Sequence, residues 1–89
     1  MTTPIEQARN LGPVTGAELR TIGIDTLEQL QSIGWEDAYL RLLERYPDRL
    51  HLMMCYALIG AVHEVDFRRI PAGEKALAKA LNRELRRGG

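Results

Sequence analysis

The chain has one cysteine in 89 residues, Cys55, which rules out an internal disulfide and any zinc site built on several thiolates. It has one serine, Ser32, and two histidines, His51 and His63, so general bases and activated nucleophiles are scarce. The histidines stand twelve residues apart on one expected helix, about 18 Å along its axis, too far to share a metal. Cationic excess is missing as well: 12 basic residues balance 12 acidic ones, unlike the strongly basic composition of many DNA-binding domains. Nor is there a long apolar run. The most hydrophobic stretch, Leu50 to Val65, would cover about 24 Å as a helix and is interrupted by His51, His63 and Glu64, so a core helix is expected rather than a membrane span. The opening "MTTPIEQARN" lacks the basic and apolar regions of a secretory signal, which leads us to expect a cytoplasmic protein. Neither enzymatic activity nor a cofactor nor a metal is expected.

What is present suits a folded domain. Hydrophobic residues make up 45% and charged residues 27%, ordinary values for a globular chain and outside the range of disordered ones. One domain over residues 1–89 is expected, with 1–8 as a flexible N-terminus and 86–89 as a frayed C-terminus. The fold class expected is all-α, a compact five-helix domain. Gly12-Pro13 opens the first helix, because proline at the first helical position has no amide to lose. Gly23 should close it as a left-handed cap, with Ile24 folding back over the end. Thr26 and Gln29 form a capping-box pattern for a second helix that ends at Gly34, so the first 34 residues outline a helix-hairpin-helix unit. A third helix runs through "WEDAYLRLLERY" to the break at Pro47, with Asp48 expected to cap the fourth. In that fourth helix, "LHLMMCYALIGAV" is apolar nearly all round and should be enclosed by the others, while Ala57, Gly60 and Ala61 offer a low strip for another helix to approach. The last helix carries Leu77, Leu81 and Leu85 as its apolar stripe.

The order "RNLGP", "GIDTLEQLQSIG", "AYLRL", "YALIGAV" and "VDFRRIP" resembles the C-terminal domain of the TfoX/Sxy competence regulators, over about Arg9 to Pro71. The chain looks like a stand-alone copy, without the N-terminal domain found in larger members. The resemblance implies an all-helical fold with a helix-hairpin-helix-like start and a role related to the expression of DNA-uptake genes. The segment "LRTIGIDTLEQL" is also similar to the helix-hairpin arrangement in the C-terminal domain of the RNA polymerase α chain, which implies that DNA is a partner to test.

Two places offer themselves for binding. DNA-binding hairpins commonly read Gly-hydrophobic-Gly, which lets consecutive amides meet a phosphate. Here the turn is Gly23-Ile24-Asp25, followed by Thr26, and Asp25 would set a negative charge against the anion. Between Arg9 and Gly34 only Arg9 and Arg20 are basic, against Glu18, Asp25 and Glu28, so a turn that orients two packed helices is favoured over a phosphate clamp. The second place is the last helix. Residues 46–89 hold eight basic and five acidic side chains, and Lys75, Lys79, Arg83, Arg86 and Arg87 lie on that helix and its exit, fit for phosphates or an acidic protein surface. Cations near a helix C-terminus are also favoured by the dipole without any ligand. Trp35, at a helix start, is expected to be partly exposed and a candidate interface anchor. Cys55, among apolar neighbours, is expected to be an inert packed thiol, and the terminal "LRRGG" is read as a frayed end rather than a ubiquitin-like tail. The expected function is a non-enzymatic interaction module that docks to a protein partner, with direct nucleic-acid binding through Gly23 to Thr26 and the basic last helix as the alternative. The expected oligomeric state is a monomer or weak homodimer.

Overall fold

The computed structural model describes residues 2–88. Among them are five α-helices, α1 (Pro13–Thr21), α2 (Leu27–Ile33), α3 (Trp35–Arg45), α4 (Leu52–His63) and α5 (Ala72–Gly88), with single 3-10 turns at Ile5–Gln7, Pro47–Arg49 and Phe67–Arg69. The described residues contain no strand, only one isolated bridge between Pro4 and Thr26. The all-α reading therefore holds.

The helix ends follow local chemistry. At the end of α1, Gly23 takes φ +89°, its N–H donates to the Arg20 carbonyl (3.1 Å), and the Ile24 N–H donates to the Leu19 carbonyl (3.0 Å). This is a Schellman ending, and Ile24, fully buried, covers it. The capping box of α2 is complete: the Gln29 N–H donates to Thr26 Oγ1 (3.1 Å), and Gln29 Oε1 accepts the Thr26 N–H (3.2 Å). Thr26→Ala should therefore cost about 1 kcal/mol in urea denaturation, and Thr26→Ser should retain most of the stability. Gly34, at φ +93°, ends α2 and opens α3 directly.

The cap of α4 differs from expectation. Pro47 starts a 3-10 turn that takes up Asp48, and the helix begins four residues later with His51 as its cap, Nδ1 accepting the Met53 N–H (3.1 Å). As expected, α4 is the central helix, contributing Cys55, Leu58, Ile59 and Ala61 to the fully buried core alongside Leu19, Leu30, Tyr39 and Leu42.

Four further expectations are corrected. Residues 2–8 are no loose tail: Ile5 is fully buried, its N–H donates to the Asp25 carbonyl (3.0 Å), and the Leu27 N–H donates to the Thr3 carbonyl (2.8 Å). Met1 lies outside the described residues. At the other end, residues 86–88 of the stretch read as frayed belong to α5, which does not overturn that reading, and Gly89 lies outside the described residues. Trp35 is only 6% exposed, so it fills core where partial exposure was expected. Finally, Leu77 is 54% exposed, and the inward face of α5 consists of Ala78 and Asn82, flanked by Leu81 and Leu85. The low strip of α4 meets no helix at Gly60. It receives the Asn10 side chain, whose amide nitrogen approaches closest, and the backbone of Val65 and Phe67.

Candidate partner interface on the last helix

The hinge is chemically occupied. All five amides from Gly23 to Leu27 donate within the chain: Gly23 to Arg20, Ile24 to Leu19, Asp25 and Thr26 to Gln29 Oε1, and Leu27 to Thr3. A phosphate at a helix N-terminus needs such amides free. Arg20 is engaged too, its Nη2 donating to Glu6 Oε1 (2.8 Å) and its Nε to Glu6 Oε2, with Asp25 Oδ1 3.7 Å from Nη1. The hydrogen bond from Arg20 holds the Glu6 carboxyl down at about 2. Nearby, Glu28 Oε1 accepts the Thr3 N–H (2.8 Å), which lowers its carboxyl below the usual range. The surface that remains at the hinge carries the carboxylates of Asp25 and Glu28, both on exposed residues.

The last helix is placed by one buried polar residue. Asn82 Nδ2 donates to Cys55 Sγ and to the Ala78 carbonyl (both 3.0 Å), while Asn82 Oδ1 accepts the Tyr39 hydroxyl (2.9 Å). The Tyr39 oxygen in turn accepts the His51 N–H (3.1 Å). One amide thus ties α3, α4 and α5 together. Desolvation pushes both the Tyr39 hydroxyl and the Cys55 thiol upward, so both stay protonated at neutral pH. At the other end, His63 Nε2 lies 2.7 Å from Glu74 Oε2. These pairings run α5 antiparallel to α4.

That register sets the cationic face of α5 beside the first turn of α4. Leu52, Lys79, Asn82, Arg83, Arg86 and Arg87 line a groove of about 410 Å³. Leu52 gives it an apolar wall, and the four cations are exposed residues. Among the described residues, the carboxylate found near them is Glu84, 3.8 Å from Arg87 Nη1. Of the basic residues singled out in the sequence, Lys79, Arg83, Arg86 and Arg87 are brought together here. Lys75 is not: it is half-buried, with Nζ 5.7 Å from the centre of the Tyr56 ring. Arg20 and the hinge from Gly23 to Thr26 do not line this groove, and neither does Trp35. Leu52 and Asn82 were missed in the sequence. Leu52 was hidden inside an apolar run, while Asn82 left one legible sign, a lone amide four residues after Ala78 on the side of α5 that packs inward.

Other chemistry is sparse. Cys55 is fully buried, His51 caps α4, and no group of three or more His, Cys, Asp or Glu side chains suited to a metal occurs among the described residues. No described helix is long and apolar enough to cross a membrane.

Comparison with known proteins is consistent with this architecture. A crystal structure of an uncharacterized protein from Listeria monocytogenes, in a triclinic form, superposes with a TM-score of 0.87 at 26% identity, covering 94% of each chain. A tetragonal crystal structure of a protein of unknown function from the same organism gives 0.83 at 27% identity, covering 91% of this chain and 98% of that one. None of the curated proteins matches the chain. The family model described as TfoX C-terminal domain matches residues 1–84. The chain belongs to the TfoX C-terminal domain family, which links it to the domains of competence regulators.

Proposed function

We propose that the chain is a non-enzymatic docking module of competence-related transcriptional regulation, acting in the cytoplasm and binding a protein partner through the α4–α5 groove. The observation that carries this reading is the make-up of the groove: an apolar wall at Leu52 beside four exposed cations. Protein interfaces draw their affinity from a desolvated apolar centre and use charge at the rim for steering and orientation. The occupied amides of the hinge argue in the same direction, because they remove the backbone donors that a hairpin would offer a phosphate.

The alternative, direct nucleic-acid binding, draws support from the row of cations on α5. The two separate by salt. Titrating the 15N-labelled protein with duplex DNA should give no localised amide shifts at Gly23 to Thr26, and only weak shifts on α5 that vanish at moderate salt. Shifts centred on the hinge, with an affinity falling steeply as salt rises, would establish phosphate binding and displace the docking reading.

A further inference from the structure

We infer that the groove between the first turn of α4 and the second half of α5 receives an acidic amphipathic helix of the partner protein, an inference that rests on the docking reading above. Three observations select that occupant. Charge comes first: Lys79, Arg83, Arg86 and Arg87 line the groove, and of these only Arg87 has a carboxylate nearby among the described residues, at 3.8 Å. An anionic ligand meets four cations there, while Glu84 competes for Arg87 alone.

Spacing comes second. Lys79, Arg83 and Arg87 stand at i, i+4 and i+8 on α5, so they repeat about every 6 Å along its axis. A partner helix bearing carboxylates at i, i+4 and i+8 has the same repeat and can lie along α5 with its charges in register. Phosphates of a nucleic-acid strand can also follow such a row of cations, but they bring no apolar face, so it is the wall that separates the two.

The wall comes third. Leu52 is half-buried in the groove, and Met53 beside it on α4 is 43% exposed. Leu52 in the groove, with Met53 exposed at its edge and outside the lining, suits the aliphatic stripe of an amphipathic helix, as in helix-in-groove recognition, in which apolar anchors at i, i+3 or i+4 and i+7 enter while the charged flank reads the rim. Asn82 forms part of the floor, but its amide is committed to Cys55, Ala78 and Tyr39, so the floor offers no strong polar specificity of its own. Selectivity then falls to the match of charge and apolar stripe.

The test uses the whole chain and fluorescein-labelled synthetic helical peptides with a leucine stripe flanked by glutamates, followed by anisotropy and by 15N amide shifts. The acidic peptide should bind and shift residues 52–53 and 79–87. Replacing its glutamates by glutamine, or its leucines by serine, should each weaken binding at least several-fold. The protein variant Arg83→Glu/Arg86→Glu, at exposed positions and checked for an unchanged circular dichroism spectrum, should lose roughly tenfold or more. Three results would overturn the inference: no binding of the acidic peptide, binding unaffected by leucine-to-serine replacement, or shifts confined to α1–α3. The first two would leave the docking reading standing with a partner of other chemistry in the groove, whereas shifts confined to α1–α3 would overturn the docking reading as well. A duplex DNA that displaces the peptide and binds more tightly at moderate salt would overturn both the inference and the docking reading.

Discussion

Gly60→Ala should lower the folding free energy by about 2–3 kcal/mol, net of the roughly 1 kcal/mol that alanine ordinarily gains over glycine inside a helix. A Cβ at this position would collide with Asn10 Nδ2, and would lie 2.7 Å from the Val65 carbonyl oxygen and 3.3 Å from Phe67 Cα. Two of these neighbours are backbone and cannot swing away. The third is no free side chain either: Asn10 Nδ2 donates to the Val65 carbonyl (2.9 Å), and Asn10 Oδ1 accepts the Phe67 N–H (3.1 Å). Asn10 itself sits at φ +72°, a left-handed conformation that asparagine tolerates better than most residues. The inserted methyl must therefore push the 65–67 segment off α4 or break the amide bridge that pins it. For a domain of this size, such a loss corresponds to a fall in Tm of about 10–20 °C. Gly73→Ala supplies the contrast. Nothing lies within 4 Å of a Cβ there, so that substitution in α5 should be neutral or stabilising by up to about 1 kcal/mol. Equal effects at the two glycines would show that Gly60 is not the close-packed point described here.

Asn82→Ala should cost about 3 kcal/mol, measured by urea denaturation, because it removes a buried side chain and leaves the Tyr39 hydroxyl without its acceptor in the core. Asn82 is 5% exposed and Tyr39 fully buried, so water reaches neither freely. The loss should be strongly coupled. Tyr39→Phe alone should cost about 1–2 kcal/mol, since the Asn82 carbonyl and the His51 N–H then lack a partner. Tyr39→Phe combined with Asn82→Leu should cost less than the sum of the single changes, because removing both members of a buried pair leaves fewer unsatisfied groups than removing one. Strict additivity would mean that the network holds no register. A second readout separates stability from function: because Asn82 sets the position of α5 against α4, Asn82→Ala should also perturb amide shifts along Lys79 to Arg87.

The helices were legible because their causes are local. Pro13 at the start of α1, the Gly23 ending, the Thr26–Gln29 box, Gly34 and the break at Pro47 each act within four or five residues, and every one operates as its residue type dictates. The misreadings share the opposite origin. Ile5 stands alone among polar neighbours and reads as tail, yet it is buried because Thr3 and Ile5 bond to Leu27 and Asp25, twenty or more residues away. Leu77 shares a helical period with Leu81 and Leu85, but α5 meets α4 through Ala78 and Asn82, which turns Leu77 outward. Trp35 at a helix start reads as exposed, but Gly34 joins α2 and α3 without a linker and folds the indole into the core.

The candidate interface divides along the same line. Its cations could be named from the sequence, because charge and helical spacing are written there. Their grouping could not: Lys79, Arg83, Arg86 and Arg87 share a groove while Lys75 leans on Tyr56, a distinction that depends on the rotation of α5 about its axis. The hinge was ambiguous for a related reason. Its glycine and capping residues show where a turn lies, but whether its amides are free depends on Gln29 and on Thr3, the latter reaching it from beyond α1. The sequence by itself determined the helices, all of their interior ends but the start of α4, and the inventory of charge, since these follow from short-range sterics and composition. Which faces are covered, which donors are consumed and which cations converge were decided only by the tertiary structure, because each depends on contacts between residues distant in the chain.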